Sequence, residues 1–327
     1  MQPVFSIRFN SDLCGVKQAV RHAFEAEQAG FQAFWYCEDL FKRDAWIALS
    51  AAAETTTDIK LGTAIVNPYS SSIVEIAMRA ATIQELSGGR FLLGIGPGAP
   101  DTLRWAGINI DKPITGLIEA VKKIRILLSN STRSGFSLKF DIDQPIPIYI
   151  GGQGSRVAEV MGLLGDGALP LAVPPESAAT TFKHIRKGAE RAGKDFSALD
   201  ISTCLWYCVD ESREDILTNP HLRHLIAYYG PMLSEKLLMA AGLRYSDFAE
   251  LRNFLELGET EKALDMVSDK MMQLAITATY DEKEQLVKKF QQLHALGVNH
   301  FNLGPPIGRD LGKVIEFTAE IIAKLSR

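Results

Sequence analysis

Long apolar runs are missing from this chain of 327 residues. None approaches the roughly 18 residues that a bilayer-spanning helix needs, so no membrane partner is expected. An excess of either charge is missing too. Lys and Arg total 35 against 39 Asp and Glu, and a net charge of −4 with a pI near 5.9 gives no electrostatic reason to expect nucleic acid. The opening "MQPVFSIRFNSD" lacks a basic segment followed by an apolar one, so a cytoplasmic location is expected rather than secretion. Cysteine is scarce, with four residues: Cys14, Cys37, Cys204 and Cys208. Cys204 and Cys208 fall in "CLWYCVD", which reads as a strand; i and i+4 then share a face about 13 Å apart, too far for one bridge or one metal. The six histidines are scattered, and His221 and His224, at helical i, i+3 spacing, have no carboxylate or cysteine pattern nearby. No metal site is expected. Internal repeats beyond the strand–helix rhythm, low-complexity segments and Pro/Ser-rich linkers are absent as well.

What is present is a strand–helix alternation on a composition that is 46% hydrophobic and 23% charged. β-rich apolar runs fall at 4–9, 33–38, 59–66, 90–96, 145–151, 167–172, 199–210 and 298–304, each followed by helical material. Near-continuous apolar strands imply burial on both faces, and strict βα repetition favours a closed barrel over an open doubly wound sheet. The expected fold is α/β, a (β/α)8 TIM barrel forming one domain over 1–327. A helical insertion, or an oligomer contact, is expected at about 211–272, and a small hairpin or extended excursion at 131–142.

A barrel gives the two glycine turns of "ATIQELSGGRFLLGIGPGAP" different meanings. Gly88 and Gly89 close a helix at the bottom, where residues maintain the fold; Gly96 and the residues after it follow a strand at the top, where barrel active sites gather. The other strand ends supply Arg8, then Cys37, Glu38 and Asp39, then "AIVNP", "GGQGSR", "LPLAVPP" and "LGPPIGR". Such loops offer backbone amides rather than nucleophiles. In "GGQGSR", Gly151, Gly152 and Gly154 let the backbone approach a ligand, Ser155 is placed to cap the next helix, and Arg156 adds a charge. Phosphate binding and a plain tight turn both fit this segment. Glu38 and Asp39 are the acid–base candidates, and a helix-start role fits Asp39 equally. Arg8 sits in an apolar strand, where a charge is costly unless it pairs with Glu38, meets a ligand anion, or lies on the outer side and snorkels.

These strand ends resemble the luciferase-like superfamily of flavin and deazaflavin oxidoreductases. Within it, they are most similar to the F420-dependent 5,10-methylenetetrahydromethanopterin reductases. The resemblance runs nearly end to end and is densest in "LGTAIVNPY", "TIQELSGGRFLLGIGPG", "IPIYIGGQG", "LGDGAL" and "GVNHFNLGPPIGRD". It implies a barrel, usually dimeric, with coenzyme F420 across its C-terminal face and hydride transfer to a pterin-type substrate. A non-proline cis peptide at Ala64–Ile65 is implied behind the cofactor ring, with Asn67 beside the ring and Gln153 and Gly154 near the phosphate-bearing tail. Four positions depart from that family. Arg8 replaces a strand 1 glutamate, Glu38-Asp39 replaces Asp-His, Ala99 replaces an acid for which Asp101 is a substitute, and "PLAVPP" replaces a more polar loop. Two alternatives therefore stand beside the reductase: an FMN- or F420-dependent oxidoreductase or monooxygenase with another substrate, and a barrel without turnover.

Overall fold

The computed structural model describes residues 2–129 and 137–326. Its strands are β1 (Val4–Phe9), β2 (Ala33–Tyr36), β3 (Lys60–Thr63), β4 (Phe91–Ile95), β5 (Ile148–Gly152), β6 (Gly167–Pro170), β7 (Asp200–Asp210), β8 (Ile276–Thr279) and β9 (His300–Ile307). Helices α1 (Val16–Gln28), α2 (Ala45–Thr55) and α3 (Ile73–Leu86) follow the first three strands in turn. Then α4 (Pro100–Trp105) and α5 (Pro113–Leu127) follow β4, α6 (Ser155–Leu164) follows β5, and α7 (Ala178–Arg191) follows β6. Five short helices follow β7: α8 (Arg213–Leu217), α9 (Pro220–Tyr229), α10 (Glu235–Ala240), α11 (Ala249–Glu256) and α12 (Thr260–Asp265). Finally α13 (Lys283–Ala295) follows β8 and α14 (Leu311–Leu325) follows β9.

All pairings are parallel. β1 through β7 pair in sequence, and β9 lies between β7 and β1, closing an eight-stranded barrel. These eight staves are the eight strands expected from the sequence. The ninth, β8, corrects that count. β7 is eleven residues long and outruns β6, so its last residues, Tyr207–Asp210, accept β8 at an edge outside the ring. A four-residue strand with a partner only at one overhang has too little pattern to stand out locally. The helical material expected at about 211–272 is present as the α8–α12 group, broken by 3-10 turns, and it packs in its own apolar cluster against Trp206 and Cys208. Of the excursion expected at 131–142, residues 131–136 lie outside the described residues, and 137–142 form no strand.

Local chemistry sets the helix ends. Ser72 and Glu75 form a capping box on α3, Asp44 caps α2 at Ile47 N, and Asp310 caps α14 at Lys313 N. The lower glycine turn behaves as expected: Gly88 (φ 64°) and Gly89 (φ 91°) end α3 and return the chain to β4. Beside them Arg90 spends all five guanidinium N–H groups, on Ser87 O, Thr56 Oγ1, Ile59 O, Ala53 O and Thr56 O.

Alternation along each strand separates two cores. Phe5, Ile7 and Phe9, with Phe34, Tyr36, Leu205, Tyr207, Phe301 and Leu303, face the helices in one large cluster. Their neighbours face the lumen, where Ala33, Trp35, Ala64, Leu92, Tyr149, Leu169 and Cys204 form a separate cluster. The lumen floor is polar. Tyr149 Oη donates to Asp200 Oδ2 at 2.7 Å, Asp200 meets His300 Nδ1 at 2.8 Å, and His300 Nε2 meets Ser6 Oγ at 2.6 Å. Burial raises the Asp200 pKa, but the bonds from His300 and Tyr149 outweigh it and hold the carboxyl below its ordinary value.

A group with a depressed folded pKa stabilises fully above its unfolded value and loses that contribution as pH falls through the folded one. Asp200→Asn is therefore expected to destabilise the barrel by about 1 kcal/mol near neutrality, the partly exposed side chain keeping the effect small. In thermal melts at stepped pH, its gap from wild type should close below roughly pH 4.

Candidate active site

The C-terminal ends of the staves converge on one face, and the expected site residues divide there into two groups. On the β3–β5 side, the Ala64–Ile65 peptide bond is cis, as the resemblance implied. Ile65 reaches across the strand ends: a Cβ at Gly96 would lie 2.2 Å from Ile65 Cδ1 and 2.4 Å from Gly151 O, and one at Gly151 would lie 2.5 Å from Ile65 Cγ2. Gly96 and Gly151 are thus small to admit Ile65, rather than to leave an open cradle. Asn67 is buried, and its Oδ1 accepts from Tyr69 N at 3.0 Å and Ser70 N at 2.9 Å, stitching the turn after β3.

Gln153 and Gly154 are exposed, and nothing lies within 4 Å of where a Gly154 Cβ would stand. Gly154 is the N-cap of α6 and gives no side-chain cap; Ser155 is the first helical residue, which corrects its expected capping role. The leading N–H groups of α6 therefore face the rim without a side-chain acceptor, next to the exposed Arg156. That donor set fits an anionic group such as a phosphate. An apolar backing at Ala64 and Ile65 beside free helix N–H groups fits a flat ring with an anionic tail.

On the β1–β2 side the carboxylates are already engaged. Glu38 Oε2 accepts from Ala45 N at 2.6 Å at the start of α2. Burial raises the Glu38 pKa; the Ala45 bond opposes this, while the charges of Asp44 and Asp39 add to it. Asp39 accepts from Ser11 N and Oγ, tying the β2 loop to the β1 loop rather than starting a helix, and Lys42 lies 4.0 Å from it and 2.8 Å from Asp12. Of the alternatives for Arg8, the ion pair with Glu38 does not occur among the described residues, and the outer-side placement is overturned. Arg8 faces the lumen, as its place between Ile7 and Phe9 requires, and donates from Nε and Nη2 to Gly304 O at 3.1 and 2.6 Å. Asp101, the substitute acid, pairs with Arg104 and accepts from Tyr228 Oη.

Tyr228 belongs to α9, so this bond joins the rim loop after β4 to the helices after β7. Tyr229 lies near Arg8, Cys37, Asp39 and Lys42, and its ring packs 5.7 Å from Trp206. Burial raises its phenol pKa, the Asp39 charge adds to the rise, and the Arg8 charge opposes it. Helix α9 thus flanks the mouth with Tyr228 and Tyr229, which the sequence reading did not single out. Also missed was Asn302, fully buried between Ser6 and Cys204 in the ladders, with neither side-chain polar atom bonded among the described residues; Trp35 Nε1 is likewise unpartnered.

A cleft of about 550 Å³ opens elsewhere, between the β1 and β9 loops and the start of α9, lined by Cys14, His22, His221 and Arg309. Its charged groups are spent internally: His22 on Glu25 at 2.6 Å, Arg309 on Asp215 at 2.7 Å. The strand-end cluster around Arg8 and Ile65 is therefore the stronger candidate. Among the described residues, no group of three metal-ligating side chains occurs and no helix is long and apolar enough to cross a membrane.

A parallel eight-stranded barrel with a cis bond after β3 and its polar residues at strand C-termini defines a TIM-barrel protein of the luciferase-like type. The chain belongs to the luciferase-like monooxygenase family, whose pattern it matches over residues 10–300. It is 31% identical to a 5,10-methylenetetrahydromethanopterin reductase of Archaeoglobus fulgidus, covering 92% of this chain and 93% of that one. A protein of the same name from Methanolobus tindarius is 28% identical over 94% and 96% of the two chains. The solved coenzyme F420 dependent tetrahydromethanopterin reductase of Methanopyrus kandleri superposes with a TM-score of 0.84, at 23% identity, over 99% of both chains.

Gly304 holds the two sides in register. Its φ is +108°, and a Cβ there would stand 2.5 Å from Arg8 O. Gly304→Ala is expected to cost roughly 2 kcal/mol or more, through the backbone clash and the left-handed φ, measured as a lowered denaturant midpoint relative to wild type.

Proposed function

We propose that this protein is an oxidoreductase that transfers hydride between reduced coenzyme F420 and a C1-carrying pterin, acting on the CH–NH group of a methylenetetrahydromethanopterin-type substrate. The observation that carries the reading is the near end-to-end similarity to relatives bearing that name, together with a cis bond and an uncapped helix N-terminus on one barrel face. When bound, the cofactor supplies the hydride from its C5 carbon. In this reading Ala64 and Ile65 back the ring, and Asn67 fixes the turn beside it. Gly96 and Gly151 admit Ile65, while Gly152, Gln153 and Gly154 lead the backbone to the α6 amides that bind the anionic tail. Glu38, with its raised pKa, is the acid–base group on the substrate side, Asp39 braces the loop beside it, and Arg8 faces the substrate. Most of the catalysis is positioning and exclusion of water.

Arg8, where the pterin reductases carry a glutamate, favours a second reading: the same scaffold with FMN, or with F420 and another substrate. The exposed apolar residues Ile47 on α2 and Val74 and Met78 on α3 support a homodimer or higher homo-oligomer, and a cytoplasmic location accords with the family reading. Light scattering of the purified protein should give a mass at least twice the 36.0 kDa of one chain.

Fluorescence titration should give saturable binding of F420 and none of FMN. Reduced F420 should be oxidised only when methylenetetrahydromethanopterin is added; a flat absorbance trace with both present removes the leading reading. Asn67→Ala should weaken F420 binding about tenfold by loosening the turn, a loss of roughly 1.4 kcal/mol. Unchanged affinity counts against the placement of the ring.

A further inference from the structure

Arg8 is the charged group that neither the fold nor the proposed cofactor contacts account for. Its strand neighbours face the outer core, so its own side chain points inward at the mouth. Of its five N–H groups, those of Nε and one of Nη2 are directed at a single acceptor, Gly304 O. Nη1 has no bonded partner among the described residues, and it is not among the buried unpartnered atoms, so it keeps some access to solvent. No carboxylate lies within ion-pair distance among the described residues: Glu38 is bonded to Ala45 N, and Asp39 is held by Ser11 and Lys42.

The Arg8 charge acts on Cys37, Cys204 and Tyr229, none of which is an anion near neutrality. Arg90 shows how this chain uses a structural arginine, with every N–H spent on oxygens at the barrel floor. Arg8 is different. Gly304 O fixes one edge of its guanidinium and leaves the Nη1–Nη2 edge forward. That edge matches a carboxylate in end-on bidentate geometry. On the adjoining strands two further side chains carry donors with no partner, Trp35, paired with Arg8 in the ladder, and Asn302, paired with Ser6.

We propose that Arg8 is the receptor for a planar oxyanion, a carboxylate or its equivalent, carried by the substrate and seated in the barrel mouth. The inference deepens the proposed function by adding an anionic group to the pterin-type substrate, and it rests on that reading for the pterin alone. Gly304 is then a positioning residue that holds the guanidinium ready.

Acetate, at constant ionic strength, is the first probe. It should raise the melting temperature of the wild-type protein, with apparent affinity at least about tenfold weaker in Arg8→Gln and intermediate in Arg8→Lys. No acetate effect on wild type, or an equal effect on Arg8→Gln, overturns the proposal. If Arg8→Gln does not melt cooperatively, Arg8→Lys carries the comparison, since it keeps the charge and loses the fork. Calorimetric titration with pterin-6-carboxylate and 6-methylpterin separates the two readings. Tighter binding of the carboxylate compound that disappears in Arg8→Gln, with 6-methylpterin unaffected, supports both. An Arg8-dependent acetate effect with no binding of either pterin keeps the receptor and removes the pterin. Binding of 6-methylpterin with no gain from the carboxylate overturns the receptor and leaves the pterin.

Discussion

The approach of β9 to β1 is the contact on which the barrel depends. Seven strands in sequence order leave an open sheet; β9 closes it by pairing with β7 on one side and β1 on the other. At the top of that seam the backbones come so near that only glycine fits, because a Cβ on Gly304 would collide with Arg8 O. The same residue turns its carbonyl to the Arg8 guanidinium. Ring closure and the placement of the Arg8 guanidinium are therefore a single event. At the bottom of the seam His300 does the corresponding work, joining β9 to Ser6 of β1 and Asp200 of β7.

The lumen between these ends is divided by chemistry. The β2–β6 side is filled by Trp35, Leu92, Tyr149 and Leu169, with Trp35 and Tyr149 packed edge-on at 5.2 Å. The β1, β7 and β9 side carries Ser6, Ser202, His300 and Asn302, all buried. Such a split fits a site in which one half supplies an apolar backing and the other supplies directed polar groups. The rim repeats it, with Ile65 over the glycines of β4 and β5, and Arg8 opposite.

Alternation made most of the ring legible in the sequence. β1 was readable to the residue, since "VFSIRF" alternates against two faces of different polarity. β8 was not, because its existence depends on how far β7 outruns β6, a tertiary fact with no local trace. At the site, the glycines could be placed from motifs and the cis bond from the resemblance, but not what the glycines were small for. Gly96 and Gly151 read as a ligand cradle until Ile65 is seen between them. Glu38 and Asp39 follow β2 as the sequence places them, yet their partners, Ala45 N and Ser11, come from loop closures that spacing cannot predict. Tyr229 reached the mouth from far along the chain, through the helices after β7.

On the proposed reading, a guanidinium at position 8, where the resemblance implies a carboxylate, changes what the mouth selects and leaves the reaction as it is. At 4 Å and an effective dielectric near 20, a unit charge is attracted or repelled by about 4 kcal/mol. A charge of that sign favours an anionic substrate group that a carboxylate in its place would repel. Hydride transfer from a bound ring asks the protein for alignment and dryness rather than for a nucleophile. The residues proposed to supply those, Ile65, Gly96, Gly151 and the α6 amides, lie on the other side of the rim from Arg8. On that reading substrate charge and ring placement sit on different strands of one ring, and a change in the first leaves the second in place.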